Sequence, residues 1–332
     1  MMPDVAELRR DFLVESSSAP VWRLGDADMD LGPAVIAIGV FDGLHVGHAH
    51  LLDRTVQDAR RRGVSAYAVT FDPDPDQVVS AHPAKALMGT DDRLRALAAS
   101  GVDGVIVVPF TRELASLDHA RFFDEVLLPV CDIRAVHVGS DFRLGARGAS
   151  TVPVITSWCA SRGICVEGHE LVTDDGTPVS ATRIRSYLEK ADLDSVRREL
   201  GRRFMVSGRV HTGRGKGTSM GFPTADIRVE PGRQAPADGV YSGLALVDGV
   251  VWPAAINVGV PPMFRGCPGV ASLEANLIGF TGDIYGSEIA LVFDAFLRPS
   301  QSFASVDELI SVVLHNIQTV QDHFGNRGVA LA

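Results

Sequence analysis

The sequence predicts an α/β chain in two parts: a parallel sheet with helices on both faces, followed by a six-stranded antiparallel β-barrel with a C-terminal helix. Three observations carry this expectation. Between residues 35 and 166 short apolar runs alternate with helix-length segments, the pattern of a parallel sheet covered on both sides. From Phe204 onward six short β-rich runs follow one another, split by Gly and Pro and joined by turns such as Asp248-Gly249. Residues 307–323 then set Leu309, Ile310, Val313 and Ile317 at near-helical spacing, which closes the chain with an amphipathic helix.

Taken in order, residues 1–34 read as a polar lead-in with a short helix at 5–14 and a Ser-rich break at 16–18. Strands are expected at 35–40, 65–71, 104–108, 135–138 and 164–166, and helices at 48–62, 91–100, 119–128 and 152–162. A further helix runs from Ser180 or Thr182 to Glu189, and a polar helical segment ends near Gly201. The barrel runs are 205–211, 224–229, 240–247, 250–257, 271–278 and 289–297. The boundary is placed between 190 and 202, giving domains 1–190 and 200–332 with no long linker and no repeat.

Composition narrows the function classes. A hydrophobic content of 46% and charged content of 22% are those of an ordinary globular protein, and 332 residues suffice for two cores. The net charge of -10 argues against a protein that coats nucleic acid or an anionic membrane. Cys131, Cys159, Cys165 and Cys267 show no C-x-x-C pairing and no zinc spacing, so free thiols in a reducing compartment are expected. No stretch has the length of an apolar span, and residues 1–20 lack a signal-peptide core. A cytoplasmic protein is the expectation; a homo-oligomer is left open.

The chemistry concentrates at residues 35–51, VIAIGVFDGLHVGHAHL. An apolar run turns at Phe41-Asp42-Gly43 and enters a helix that carries His45 and His48 three apart, on one face. Free backbone N–H groups and the positive dipole end at a helix start attract phosphate, and two imidazoles there can donate hydrogen bonds as phosphate charge builds. One histidine near a helix start is usually a surface or core residue, which is the reading for His50. The ordered string Gly39-x-Phe41-Asp42-Gly43-x-His45-x-Gly47-His48 after a strand is what marks a nucleotide site. Further along, Ser180 and Thr182 open a helix whose free N–H groups their hydroxyls would cap. Arg183 and Arg185 oppose its dipole, a placement suited to holding a triphosphate, although a solvated face explains one of them equally well.

Five motifs occur in one order: Gly39–His48, Thr70-Phe71-Asp72-Pro73, Gly139-x-Asp141-Phe142-Arg143, Ser180–Arg185, and Gly221-Phe222-Pro223-Thr224-Ala225. Together they resemble the bacterial bifunctional riboflavin kinase/FMN adenylyltransferase family, the FAD synthetases, from about residue 35 to about 320. The resemblance implies a Rossmann-like nucleotidylyltransferase domain followed by a flavokinase-like barrel. In the first, ATP phosphates would lie at the helix start, contacted by Gly39, Phe41, Asp42, Gly43, Gly47, Ser180, Thr182 and Arg185. FMN would attack the α-phosphorus in line, with His45, His48 and Arg183 catalytic and Asp141 and Phe142 on the flavin. In the second, Thr224 and Asp226 would hold Mg²⁺, Glu274 would be the general base for the riboflavin 5′-hydroxyl, and Gly213, Gly217 and Thr224 would approach ATP. Arg298 is read equally as a flavin contact or the partner of a surface acid, and position alone would make Glu274 an outward strand carboxylate. The implied partners are small molecules: ATP, riboflavin, FMN and FAD.

The chain departs from the family pattern at several points. Asp226 stands where the family has Asn, Thr218 where it has Arg, Pro261-Pro262-Met263 where it has Arg-Pro-Thr, and Ser302 where it has Lys. Asp74 replaces a His, and the basic loop after Arg143 is reduced to Ala146-Arg147-Gly148-Ala149-Ser150. Three readings follow: an ordinary bifunctional enzyme, a paralogue that keeps only nucleotidyl transfer or uses another flavin or nucleotide, and a flavin-binding protein without turnover. His45, His48 and Glu274 argue against the last. The segments 211–220 and 260–270 are expected to be mobile without ligand.

Overall fold

The computed structural model describes residues 1–14, 19–25, 29–211, 222–259 and 272–331. Two compact units divide the chain: Glu15–Lys85 with Thr90–Ala181, and Met1–Val14 with Ala86–Gly89 and Thr182–Ala332.

The first is the sheet unit. Its six parallel strands lie in the order Val21–Arg23, Gly104–Pro109, Ser65–Asp72, Pro33–Ile38, Asp132–Gly139, Cys165–His169. Alternation along each strand feeds two cores. Ile36, Ile38, Val69 and Val136 pack with Phe122, Phe123 and Ile155, while Ala37, Ala68, Val105 and Val107 pack with Leu51, Leu52 and Leu97. Burial of both strand faces explains the continuous apolar runs in the sequence. The strand order runs outward from Pro33–Ile38 in one direction through Ser65–Asp72 and in the other through Asp132–Gly139. The crevice at the carboxyl ends of Pro33–Ile38 and Asp132–Gly139 is thus the topological switch point, where open α/β sheets bind ligands.

Two local features differ from the expected elements. The helix expected at 119–128 is regular only over His119–Phe122. A wider turn follows, in which Leu128 N–H donates to the Phe123 carbonyl at 2.9 Å, and it lets the adjacent rings of Phe122 and Phe123 both be buried. The sheet also gains an edge strand, Val21–Arg23, paired in parallel with Val105–Val107.

The second is the barrel unit. Phe204–His211, Ala225–Arg228, Gly239–Val247, Val250–Val258, Ser272–Leu277 and Glu288–Arg298 form a closed antiparallel barrel, to which the short strand Val329–Ala330 adds. Asp248 and Gly249, at φ 48° and 77°, make the tight hairpin turn expected from their sequence. Helix Val306–Phe324 sends Val320 and Phe324 into the core with Met205, Leu244, Val251 and Val292. The N-terminal helix Val5–Asp11, capped by Asp4, joins the same core through Leu8, followed by Phe12. Beside it Arg203 is buried in an ion group, 2.6 Å from Asp11 and 2.8 Å from both Asp294 and Glu7. No described helix is long and apolar enough to cross a membrane.

Candidate functional site

In the sheet unit the chain leaves Pro33–Ile38 and folds sharply before helix Val46–Arg62. Phe41, Gly43 and Leu44 all take left-handed backbone conformations, at φ 58°, 75° and 39°. Such conformations cost energy for Phe and Leu and persist only where the surroundings enforce them. Here the Val40 carbonyl is held by the Thr70 hydroxyl at 3.1 Å and by the Arg93 guanidinium at 3.2 Å. Arg93 also donates to the Phe71 carbonyl at 2.7 Å, so one buried side chain ties the Gly39–His45 turn to the Thr70–Asp72 strand end. Burial disfavours the charge on Arg93; the carboxylates of Asp74, Asp42 and Asp72 oppose that effect. Asp74, the N-cap of the short helix that follows, has its pKa raised by burial.

His45 is the N-cap of helix Val46–Arg62: its Nδ1 accepts from the His48 backbone N–H at 3.4 Å. An accepting Nδ1 puts the proton of neutral imidazole on Nε2. The two rings stack, with centroids 3.7 Å apart, and Phe41 meets His48 edge-on at 5.2 Å. Gly47 permits this stack, since a Cβ there would lie 3.1 Å from Cε1 and Nδ1 of His45. Gly39 likewise sits under the Phe41 ring, 3.1 Å from where its own Cβ would be. Burial pushes the His45 pKa down to about 4. It pushes His48 well below the usual value, with His45 as the second cause. Both imidazoles are therefore neutral at pH 7, and the buried Nδ1 of His48 has no partner among the described residues.

A cavity of about 780 Å³ opens beside the turn. Phe71, Phe110, Phe122 and Phe142 give it an aromatic lining beside Gly39, and Arg112, Arg143 and Arg147 add cations. Phe142 reaches it because its N–H closes a turn onto the Gly139 carbonyl at 3.0 Å, at the carboxyl end of Asp132–Gly139. The exposed Asp141 belongs to that turn.

The structure brings Gly39, Phe41, Asp42, Gly43, His45, Gly47 and His48 together in one turn and puts Phe142 on the adjoining cavity. Ser180 belongs to this unit, whereas Thr182, Arg183 and Arg185 belong to the other. Helix Ala181–Leu188 is short enough that Arg185 falls in its last turn, where the dipole favours a cation, so only Arg183 opposes it. Arg183 is matched by the buried Glu199 carboxylate at 2.8 Å and donates to the Tyr187 hydroxyl at 2.7 Å.

In the barrel unit, Asp226 pairs in register with Glu274, and Glu274 with Asn257 on the next strand. Residues paired this way share one face, and Ala225, Leu273 and Ala275 between them are buried. Thr224 lies just before this strand, two residues from Asp226, and its loop is anchored by Asn276, which donates to the Pro223 carbonyl at 2.8 Å. His211 also pairs with Asp226. Arg298 donates to the Asn316 side chain at 3.4 Å and the Pro299 carbonyl at 3.1 Å, and lies over the Phe303 ring. Gly213 and Gly217, the departures at Thr218 and Pro261-Pro262-Met263, Cys267, and most of the segments expected to be mobile lie outside the described residues.

Arg93 and Arg112 were not singled out from the sequence. Arg93 lies in an ordinary helical run, and its partners are 53 and 22 residues away, so no local spacing reveals it.

Known proteins resemble both units. The FAD synthetase family model matches residues 28–183 and the riboflavin kinase model residues 200–324. A bifunctional riboflavin kinase/FMN adenylyltransferase of Pseudomonas fluorescens is 34% identical over 84% of this chain and 89% of its own length. The protein of the same name from Escherichia coli K12 is 32% identical over 88% and 93%. A crystal structure described as a macrolide-efflux protein from Streptococcus pneumoniae shares the fold, with a TM-score of 0.80 over 91% of this chain and 99% of its own, at 23% identity. With both halves matched and relatives at 32–34% identity covering most of its length, the chain belongs to the bifunctional riboflavin kinase/FMN adenylyltransferase family.

Proposed function

We propose that the chain phosphorylates riboflavin to FMN in the barrel unit and joins FMN to ATP in the sheet unit, releasing FAD and pyrophosphate. The observation that carries adenylyl transfer is the stacked, neutral His45–His48 pair at the start of a helix beside an aromatic cavity. The cavity suits a flat tricyclic ring, and its arginines suit a flavin phosphate.

The FMN phosphate oxygen attacks the α-phosphorus of ATP and the bond to the β-phosphate oxygen breaks; no protein nucleophile is needed. Positioning and charge stabilisation then supply the rate. His45 donates from Nε2, because its Nδ1 is occupied by the His48 N–H, and His48 donates from the neighbouring ring. Being neutral before ligand arrives, both can gain positive character as phosphate charge gathers. Gly39, Asp42 and Gly43 shape the backbone against the nucleotide, Ser180 and Thr182 add hydroxyls, and Asp141 and Phe142 border the flavin. Arg185 and Arg183 are assigned to the leaving pyrophosphate; with its charge already matched by Glu199, Arg183 orients more than it attracts.

In the barrel, Glu274 takes the proton of the riboflavin 5′-hydroxyl as that oxygen attacks the γ-phosphorus. Thr224 and Asp226 offer hard oxygen donors, Asp226 on the face shared with Glu274, a set that fits Mg²⁺. When bound, Mg²⁺ neutralises the ATP phosphates. Gly213 and Gly217 are assigned to backbone approach to ATP, and Arg298 to the flavin edge. The free thiols of Cys131, Cys159 and Cys165 suit the reducing cytoplasm.

A second reading, nucleotidyl transfer alone, is favoured by one observation: Asp226 puts a carboxylate directly across from Glu274, and like charges so placed repel. Incubation with Mg-ATP and riboflavin, then with Mg-ATP and FMN, followed by separation of the flavins, decides between them. FMN and FAD from riboflavin support the bifunctional enzyme. FAD only from supplied FMN supports the second reading, and no conversion refutes both.

A further inference from the structure

On the sheet face covered by helix Val46–Arg62, the structure brings together three side chains that adenylyl transfer does not use. His137 lies in the strand Asp132–Gly139, directly opposite Glu167 in the edge strand Cys165–His169, and His169 is two residues beyond Glu167 on the same side. One nitrogen or carboxylate oxygen from each lies within 4.8 Å of the others. The His169 Nε2 is 2.9 Å from His137 Nδ1, so the two ring nitrogens converge. On its far side, His137 Nε2 meets the buried Asp58 carboxylate at 3.2 Å, and Asp58 is fixed by Arg61 at 2.9 Å and Arg62 at 2.8 Å.

We propose that His137, Glu167 and His169 form a binding site for a divalent transition-metal ion of the zinc class, separate from the Mg²⁺ assigned to the barrel. Two imidazoles and one carboxylate are a donor set that this class prefers, with a fourth position for water. The Asp58 contact is the arrangement that orients metal-bound histidines: the carboxylate takes the N–H of one ring nitrogen and so presents the other as a lone pair. Here the presented atom is Nδ1, the one that faces His169. Zinc–nitrogen bonds of about 2.0–2.1 Å at a tetrahedral angle separate two donors by about 3.3 Å, so a small ring rotation from 2.9 Å makes room. The proton shared between the rings moves to Nδ1 of His169, and no net proton is released. Bound metal would clamp the last two strands together just before the Gly139–Phe142 turn, where the Ser140 N–H already donates to the His169 carbonyl at 2.8 Å.

The test uses the full-length protein, stripped with chelator and held free of nucleotide and phosphate, titrated with Zn²⁺ by calorimetry and with Co²⁺ by visible absorption. Saturable binding of one equivalent is expected, with a rise in melting temperature. Glu167→Gln, which keeps the shape of the side chain, weakens it by about tenfold or more, and His169→Ala by about a hundredfold. Cys165→Ser, on the same strand beside Arg62, leaves binding unchanged. No saturable binding at tens of micromolar metal, or equal binding by wild type and both ligand variants, overturns the proposal. Loss of binding in Cys165→Ser alone overturns it as well, because the thiol would then be the ligand.

Discussion

Replacing Gly47 with alanine separates the packing of the histidine pair from the stability of the fold. Gly47 occupies a helical position, where alanine contributes about 1 kcal/mol in propensity. Against that gain, the new Cβ would lie 3.1 Å from Cε1 and Nδ1 of His45, and relief to ordinary contact near 3.5 Å moves the ring by about 0.4 Å. The ring is confined on its other side: it stacks on His48 at 3.7 Å and holds the His48 N–H at 3.4 Å, a bond too long to stretch further. Gain and strain leave stability within about 1 kcal/mol of wild type. Misplacing a catalytic group by 1 Å costs about a hundredfold in rate, so a shift of this size lowers kcat for FAD formation by about tenfold. The assay is initial-rate FAD formation from FMN and Mg-ATP, with FMN formation from riboflavin by the same preparation as internal standard. A Gly47→Ala enzyme that makes FAD at the wild-type rate refutes the reasoning; equal loss of both activities shows a folding defect instead.

Other consequences follow from the same geometry. Because the His45 pKa lies near 4 in the folded state and near 6.5 unfolded, the unfolded chain binds the extra proton, and stability falls as pH drops from 6.5 towards 4. At pH 5 the loss from this one group is about 2 kcal/mol; urea unfolding at pH 7 and pH 5 should show it in wild type and not in His45→Asn. Glu274→Gln should lower FMN formation by about 100- to 10,000-fold while FAD formation from supplied FMN continues, as read by separating the flavins. Arg203→Ala leaves the buried carboxylate of Asp11 without its cation and should destabilise the barrel unit by about 3–5 kcal/mol. Chemical denaturation measures this, and a loss under 1 kcal/mol would contradict it.

The sheet strands were legible because both of their faces are buried, which leaves continuous apolar runs such as Val105–Val108. The barrel strands were legible from short β-rich runs split by Gly and Pro and from turns such as Asp248-Gly249. The histidine turn was legible because its parts are contiguous: His45 caps its own helix, and Gly47 spares the stacked ring. What depends on distant partners was not. Arg93 gains its role from two carbonyls on other elements, and the Asp58–His137–His169 chain joins residues 79 and 32 positions apart. The helix Val5–Asp11 is too short for its pattern to show that Leu8 completes the barrel core. Arg183 read as a cation set against its helix dipole, and Glu199, which matches it, lies on the following helix, beyond the reach of that local pattern.

The most direct measurement compares the two half-reactions in His48→Ala. His48 stacks on His45, and its loss removes one donor to the transferring phosphate, a change of about 3–4 kcal/mol, or roughly 100- to 1,000-fold. Adenylyl transfer at this pair predicts that FAD formation falls by that factor while riboflavin phosphorylation keeps its wild-type rate. A variant that still makes FAD from FMN and Mg-ATP at the wild-type rate would contradict it.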